Sequence, residues 1–410
     1  MPATMRFRFA ASLALSLFFL IVLVVSSLPG RARGAPESRP AVDRAWVEKH
    51  RGKAGFYLRL AEAERQNKPE FYLSHHLVDA VVLTFKWAQT EPAPGQFDYA
   101  QIDQLLGLCK KHNKGFVLGL STYGQSPGDQ PTPDWLYEKG VKGISFAGGG
   151  VAKGSPITVP KVWDEAYFPE YERFVQALGR RYDGQPGIWY IMPAYGHIGN
   201  LNAQPSKGGG PAFLAEGWTP QIWKDFCRRV TRLYQSAFPN TPLLVKSAAQ
   251  LLKDRENGDY LKEADEILAE LASMGVSVIT FGLEPQIEPL LKNNVLGRVA
   301  ALAPYALTGQ IRVGIGDDWP LWVPENRRKN EKFLAGRDEA GLAKELQYAF
   351  GGLEGLPPTH VSLMYVLHPE IEASHPQLGA GQNKKLYDIL AAARARLKQE
   401  DPIDRLPESL

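Results

Sequence analysis

Val78–Leu106, VDAVVLTFKWAQTEPAPGQFDYAQIDQLL, sets a strand, a sharp turn and a helix end to end. The apolar run Val81, Val82, Leu83, Thr84 and Phe85 has strand length and stops at Lys86 and Trp87. Glu91-Pro92 and a Pro94-Gly95 turn follow, and Phe97-Asp98-Tyr99 leads into an amphipathic helix. This is one βα unit whose strand ends in polar and aromatic side chains.

Working outward, strand-like runs recur at Gly55 to Leu60, Ala80 to Phe85, Gly115 to Leu120, Ile188 to Met192, Pro242 to Lys246, Val276 to Phe281, Gln310 to Ile315 and His360 to Val366. Most are separated by helix-like stretches, with amphipathic helices expected at Phe168 to Tyr182, Pro220 to Phe238, Asp259 to Met274 and Ala340 to Phe350. Several runs, such as VSVIT and VSLMYV, are apolar on both faces, as strands between a packed interior and a helical ring must be. Eight such strands predict an α/β fold, a closed (β/α)8 TIM barrel, as a single domain over residues 52–400. The alternative, a doubly wound open sheet, would carry a Gly-rich phosphate turn. Neither Gly148 to Gly150 nor Gly208 to Gly210 fits that pattern at a strand-to-helix junction. Two long irregular stretches, Ser121 to Ala166 and Asn200 to Thr219, would lie on the catalytic rim of a barrel.

The chain has 410 residues, 44% hydrophobic and 22% charged, with a net charge of +3. Lys and Arg are mixed with Asp and Glu, so no basic stripe points to nucleic acid. Arg6 and Arg8 precede the apolar run Ala10 to Leu28, and Ala32-Arg33-Gly34 offers small residues to a signal peptidase. Residues 1–34 therefore read as a secretory signal, with an uncleaved membrane anchor as the alternative. Both place the globular part outside the cytoplasm, in the periplasm or beyond the cell. A Pro-rich linker at 35–51 and a tail at 401–410 complete the expected organisation. Cys109 and Cys227 lie on apolar faces of expected helices and read as buried free thiols rather than a disulfide pair.

The motif Trp87, Glu91, Pro92, Gly95, Phe97, Asp98 resembles the W-x-x-x-E-P-x-x-G-x-F/Y-D pattern after the second strand of retaining clan A (β/α)8-barrel glycoside hydrolases. Val162-Trp163-Asp164, Tyr171, Phe174, Val175, Leu178 and Arg181-Tyr182-Asp183-Gly184-Gln185-Pro186 resemble the helix before the fourth strand in family 42 β-galactosidase-like proteins. The resemblance implies hydrolysis of O-glycosidic bonds in a β-linked poly- or oligosaccharide. It also implies an acid/base Glu after strand four and a carboxylate nucleophile after strand seven, about 5 to 5.5 Å apart. After strand four this chain has Gly199-Asn200, and an amide cannot protonate a leaving group.

The expected strand ends supply the candidates. Asp317 or Asp318 would be nucleophile or electrostatic stabiliser, and His197 or Glu284 the acid. Lys86, Trp87, Tyr123, Tyr195, Asn200, Trp319 and His368 would bind substrate, aromatic faces stacking on sugar rings and polar groups taking hydroxyls. Glu91 is expected to tie down the rim turn. Glu370 with His368 and His375 lacks metal-ligand spacing, so neither metal nor cofactor is expected. The rival reading is a catalytically silent carbohydrate-binding barrel. A barrel hydrolase cleaving amide bonds would be a third, but no G-x-S-x-G elbow supports it.

Overall fold

The structure, a computed structural model, describes residues 53–60, 68–124, 130–148, 154–196, 199–203, 209–247, 251–252, 260–281, 296–307, 311–316, 321–328, 337–351 and 359–399. The expected signal, linker and tail lie outside these residues. No helix among the described residues is long and apolar enough to cross a membrane.

Ten strands are described: β1 Gly55–Arg59, β2 Ala80–Lys86, β3 Gly115–Ser121, β4 Gly143–Ala147, β5 Pro156–Pro160, β6 Ile188–Met192, β7 Leu244–Lys246, β8 Ser277–Phe281, β9 Val313–Gly316 and β10 Val361–Val366. Eight form one sheet in the order β6-β3-β2-β1-β10-β9-β8-β7, every ladder parallel. The ends of that order meet where Ile191 pairs with Leu243, the Ile191 amide donating to the Pro242 carbonyl at 2.9 Å. The eight parallel strands thus form a nearly closed barrel, as expected. The seam is narrow because β7 has three residues, and Pro242 before it has no amide proton to give.

β4 and β5 pair antiparallel as a hairpin inside the stretch expected to be irregular. Only Ile144, Ile157, Val159 and Pro160 of the hairpin are buried, so its sequence shows too little apolar alternation to announce a strand. Along the barrel strands side chains alternate between two faces, with register shifts where β10 passes from Val361 to Leu363 and where β6 passes from Ile188 to Tyr190. Phe56, Leu58, Val81, Leu83, Phe85, Val245, Val313 and Ile315 pack outward in the main core with the helices. Tyr57, Ala80, Val82, Val117, Tyr190, Met192, Leu244, Ile279, Leu363 and Tyr365 fill the barrel interior.

The helix Tyr167–Tyr182 follows the hairpin, and Pro220–Ala237 packs against it. Thr219 caps the second, its hydroxyl accepting from the Ile222 amide at 3.1 Å, with Pro220 in the first turn. Their approach is closest at Gly179, where a Cβ would stand 2.2 Å from the Ala237 carbonyl oxygen. The last helix, Lys384–Gln399, docks on the bottom of the barrel through Asp79. That carboxylate accepts from the Phe56 amide (3.0 Å), from two Arg394 nitrogens (2.7 and 2.5 Å) and from Lys398 (2.8 Å). Cys109 and Cys227 are both buried free thiols, as expected.

Candidate active site at the carboxyl ends of the strands

In a parallel barrel the carboxyl ends of the strands converge on one mouth, so the terminal inward residue of each strand faces any ligand. The alternation assigns those positions. Arg59 shares the inward parity of Tyr57, Lys86 that of Val82, Ser121 that of Val117, and Lys246 that of Leu244. Lys86 is half-buried and Lys246 is 4% exposed. The Lys246 ammonium lies 5.5 Å from the centroid of the Tyr365 ring, whose residue is inward on β10.

Gly199 and Asn200, which follow β6 in sequence, lie against β7 at the barrel seam. The Lys246 amide donates to the Gly199 carbonyl at 2.9 Å, and Asn200 forms an isolated parallel bridge with Lys246. Gly199 has φ +70°, and a Cβ there would lie 2.1 Å from the Met192 side chain, so only glycine lets the chain turn so near the strand end. The Asn200 side-chain oxygen accepts from the Asn202 amide at 3.1 Å, a local turn contact.

Directly beyond β6, Ala194 is buried and held at both backbone atoms. Its carbonyl accepts from the Tyr171 hydroxyl at 2.6 Å, and its amide donates to Tyr234 at 3.4 Å. The Gly196 carbonyl accepts from the Thr122 amide, the Tyr123 amide (both 3.1 Å) and the Thr122 hydroxyl (2.7 Å), joining the rims of β3 and β6. No carboxylate occurs in the sequence between Met192 and Glu216.

The sequence candidates separate by direction. Lys86 and Asn200 are at the mouth. Trp87 faces the helices: it is fully buried against Trp135, Tyr167, Tyr171 and Phe174, with the Phe174 ring stacked at 4.8 Å. Its indole N–H donates to Glu91 at 2.9 Å, and the other Glu91 oxygen accepts from the Gly95 amide at 2.6 Å, so Glu91 does tie down the turn. Tyr195 is likewise enclosed, its hydroxyl 2.8 Å from that of Thr231, and Tyr123 is buried beside Phe213. None of these three rings has an open face. Burial pushes the Tyr123 and Tyr195 hydroxyls above their ordinary range, so they remain protonated. His368 starts a short helix after β10, edge-on to Tyr72 at 5.2 Å. Asp317, Asp318, Trp319, Glu284 and His197 lie outside the described residues.

Sequence reasoning missed Arg59 as a mouth residue, and it placed Lys246 at the end of a strand-like run without giving it a role. Strand parity was the available signal, but it needed the inward face to be known. Glu370, buried in the helix after β10, accepts from the Trp322 amide at 3.0 Å. Burial raises its carboxyl to about 7. No group of three or more His, Cys, Asp or Glu among the described residues could hold a metal.

Residues 66–197 match the model of glycoside hydrolase family 42, beta-galactosidase. That stretch contains both motif regions and strands β2 to β6. Among curated proteins no sequence match was found. The catalytic domain of beta-amylase from Paenibacillus polymyxa superposes with a TM-score of 0.53 at 11% identity, covering 85% of this chain and 100% of that one. A family 10 xylanase of Thermobacillus composti gives a TM-score of 0.46 at 12% identity, covering 85% and 98%. Xylanase 10B from Thermotoga maritima gives 0.48 at 11%, covering 87% and 99%. The amylase likeness carries the fold, and with the family match it makes this chain a glycoside hydrolase-like TIM barrel.

Proposed function

We propose that this glycoside hydrolase-like TIM barrel is an exported protein that binds a β-linked poly- or oligosaccharide at its mouth without hydrolysing it by the retaining mechanism. The observation that carries this reading is the rim after β6. Ala194 stands immediately beyond the strand, anchored through its backbone, and Asn200 is committed to the seam and to a local turn. Neither side chain can give a proton to a leaving oxygen. Polar side chains such as Lys86 and Asn200 stand at the mouth, while the sequence supplies no carboxyl acid after the fourth strand for the retaining mechanism.

The second reading keeps hydrolysis. Gly316 ends β9, the seventh barrel strand, and the sequence puts Asp317 and Asp318 directly after it, where a nucleophile would stand. His197 or Glu284 would then act as acid.

The mature domain should be titrated with a panel of glycans and incubated with a panel of aryl glycosides. Binding without turnover is the expected result. Turnover that disappears in Asp317→Asn and Asp318→Asn would establish the hydrolytic reading instead. Under the binding reading, Asn200→Glu tests whether a carboxyl at the seam can restore cleavage.

A further inference from the structure

We infer that Glu370 is a proton-operated latch on the barrel rim: protonated, its carboxyl holds segment 321–323 against the helix His368–Ser374, and ionisation loosens that hold. The helix starts after β10 with only Leu367 between, and segment 321–323 lies in the connection from β9 to the short helix Glu325–Arg328. The latch therefore ties together the rims of two neighbouring barrel strands. It is independent of which sugar reading holds.

Glu370 is fully buried. Its Oε1 accepts from the Trp322 amide at 3.0 Å, while its Oε2 is buried with no hydrogen-bond partner. A carboxylate enclosed with one oxygen unbonded is costly, whereas a carboxylic acid brings no charge into the interior. Burial is accordingly the larger effect on Glu370 and raises it to about 7, against the backbone amides of Trp322 and Leu321 and the charge of the buried Arg337. The other ionisable groups on the elements packed here are engaged elsewhere. Glu372 accepts from the Tyr72 hydroxyl at 2.5 Å, His368 lies edge-on to the Tyr72 ring, His375 Nε2 lies against the Ser74 hydroxyl, and Arg328 pairs with Asp338 at 3.6 Å. Glu339 accepts from the Trp322 indole N–H at 3.1 Å and from Asn383 at 2.8 Å. Burial works against the Glu339 ion, but these hydrogen bonds and one from its own backbone outweigh it and lower its carboxyl, so Glu339 stays charged while Glu370 titrates. The Val323 amide is tied to the Arg337 carbonyl at 2.9 Å, a contact that carries no proton to lose in this range.

A carboxyl whose folded value lies above its ordinary 4.5 favours the closed form fully below that value and loses the contribution as pH rises to about 7. Opening of segment 321–323 should therefore increase by up to about tenfold per pH unit between about pH 5 and 7 and then level off. A buried neutral histidine such as His375 acts in the opposite direction, weakening the fold as pH falls. Hydrogen exchange of the Trp322 amide, expressed as a protection factor so that the intrinsic rate drops out, reads the latch directly. Its protection should fall across that window, and the Ile191 amide, bonded to the Pro242 carbonyl, should not share the slope. Glu370→Gln keeps an oxygen for the Trp322 amide and cannot ionise, so it should abolish the slope. If that variant does not fold, difference infrared spectroscopy of the unaltered chain decides: the stretch of a buried protonated carboxyl should be present at about pH 6 and lost by about pH 8. Trp322 protection that is flat between about pH 5 and 7, a slope that survives Glu370→Gln, or no protonated-carboxyl band at about pH 6 would each overturn the inference.

Discussion

Trp87 and Glu91 are joined across one helical turn: the indole N–H donates to one carboxylate oxygen at 2.9 Å while the other accepts from Gly95 and pairs with Arg173 at 2.5 Å. Both side chains are fully buried. The motif that most suggests a sugar site is therefore a structural lock between the second strand, the rim turn and the helix Tyr167–Tyr182. Glu91→Ala leaves an indole N–H, a backbone N–H and a guanidinium without their acceptor. It should destabilise the domain by about 3 kcal/mol or more, read as a fall in the urea midpoint. Trp87→Phe keeps the stack on Phe174 and loses one donor, and should lose only about 1–2 kcal/mol. Equal losses would show that the carboxylate is not the hub.

A second lock joins the helix Pro69–Ser74 to the helix His368–Ser374 through two Ser-His pairs. His75 Nε2 lies 3.2 Å from the Ser374 hydroxyl and His375 Nε2 3.3 Å from the Ser74 hydroxyl. Each ring accepts a backbone amide at Nδ1, from Leu77 and from Gln377, so the Nε2 atoms carry the protons. Burial, reinforced by the neighbouring His375, lowers His75 to about 3, and burial lowers His375 as well. A histidine depressed in the folded state binds its proton more readily when unfolded. Its contribution is therefore complete above the ordinary histidine range and declines as pH falls toward 3. Stability should drop between pH 6.5 and 5 by up to about 1.4 kcal/mol per pH unit from His75. His75→Asn, which keeps an acceptor for the Leu77 amide, should flatten that slope. An unchanged slope would move the effect elsewhere.

Gly179→Ala reverses the usual helix rule. Alanine is the better helix former by about 1 kcal/mol, yet here its methyl would meet the backbone of Ala237 at 2.2 Å. The helices Tyr167–Tyr182 and Pro220–Ala237 must separate, so thermal unfolding should show a net loss of about 1–3 kcal/mol. A gain in stability would mean the two helices are not held this close.

The two thiols should be silent until the chain unfolds. Burial pushes Cys109 up to about 12 and Cys227 well above its ordinary value, so almost no thiolate exists at neutral pH. A chromogenic thiol reagent should titrate almost nothing in the native protein and both cysteines in denaturant, and reducing agent should leave the melting temperature unchanged.

Much of the architecture was legible because barrel strands and amphipathic helices announce themselves within a few residues. VVLTF and VSLMYV read as strands on their own, and Pro220 to Phe238 reads as a helix from its apolar stripe, with Pro220–Ala237 observed. The hairpin Gly143–Ala147 with Pro156–Pro160 was hidden, since each half is only five residues long and carries Gly, Ser, Pro or Thr, residues common to loops. Among the site candidates, Trp87, Tyr123 and Tyr195 looked like a sugar platform in sequence. Their direction depends on which face of each element meets the helices.

The sequence by itself determined the barrel, its strand number and the glycosidase-like character of its second to fourth strands, because periodicity and turn chemistry are local properties of a chain. Only the tertiary structure decided what stands at the mouth. Closure of the sheet turns Trp87 outward and Lys86 inward, and it brings Gly199 and Asn200 against Lys246, forty-seven and forty-six residues away in sequence. That pairing depends on a seam where two strands meet only through a short bridge, a relation no window of sequence contains.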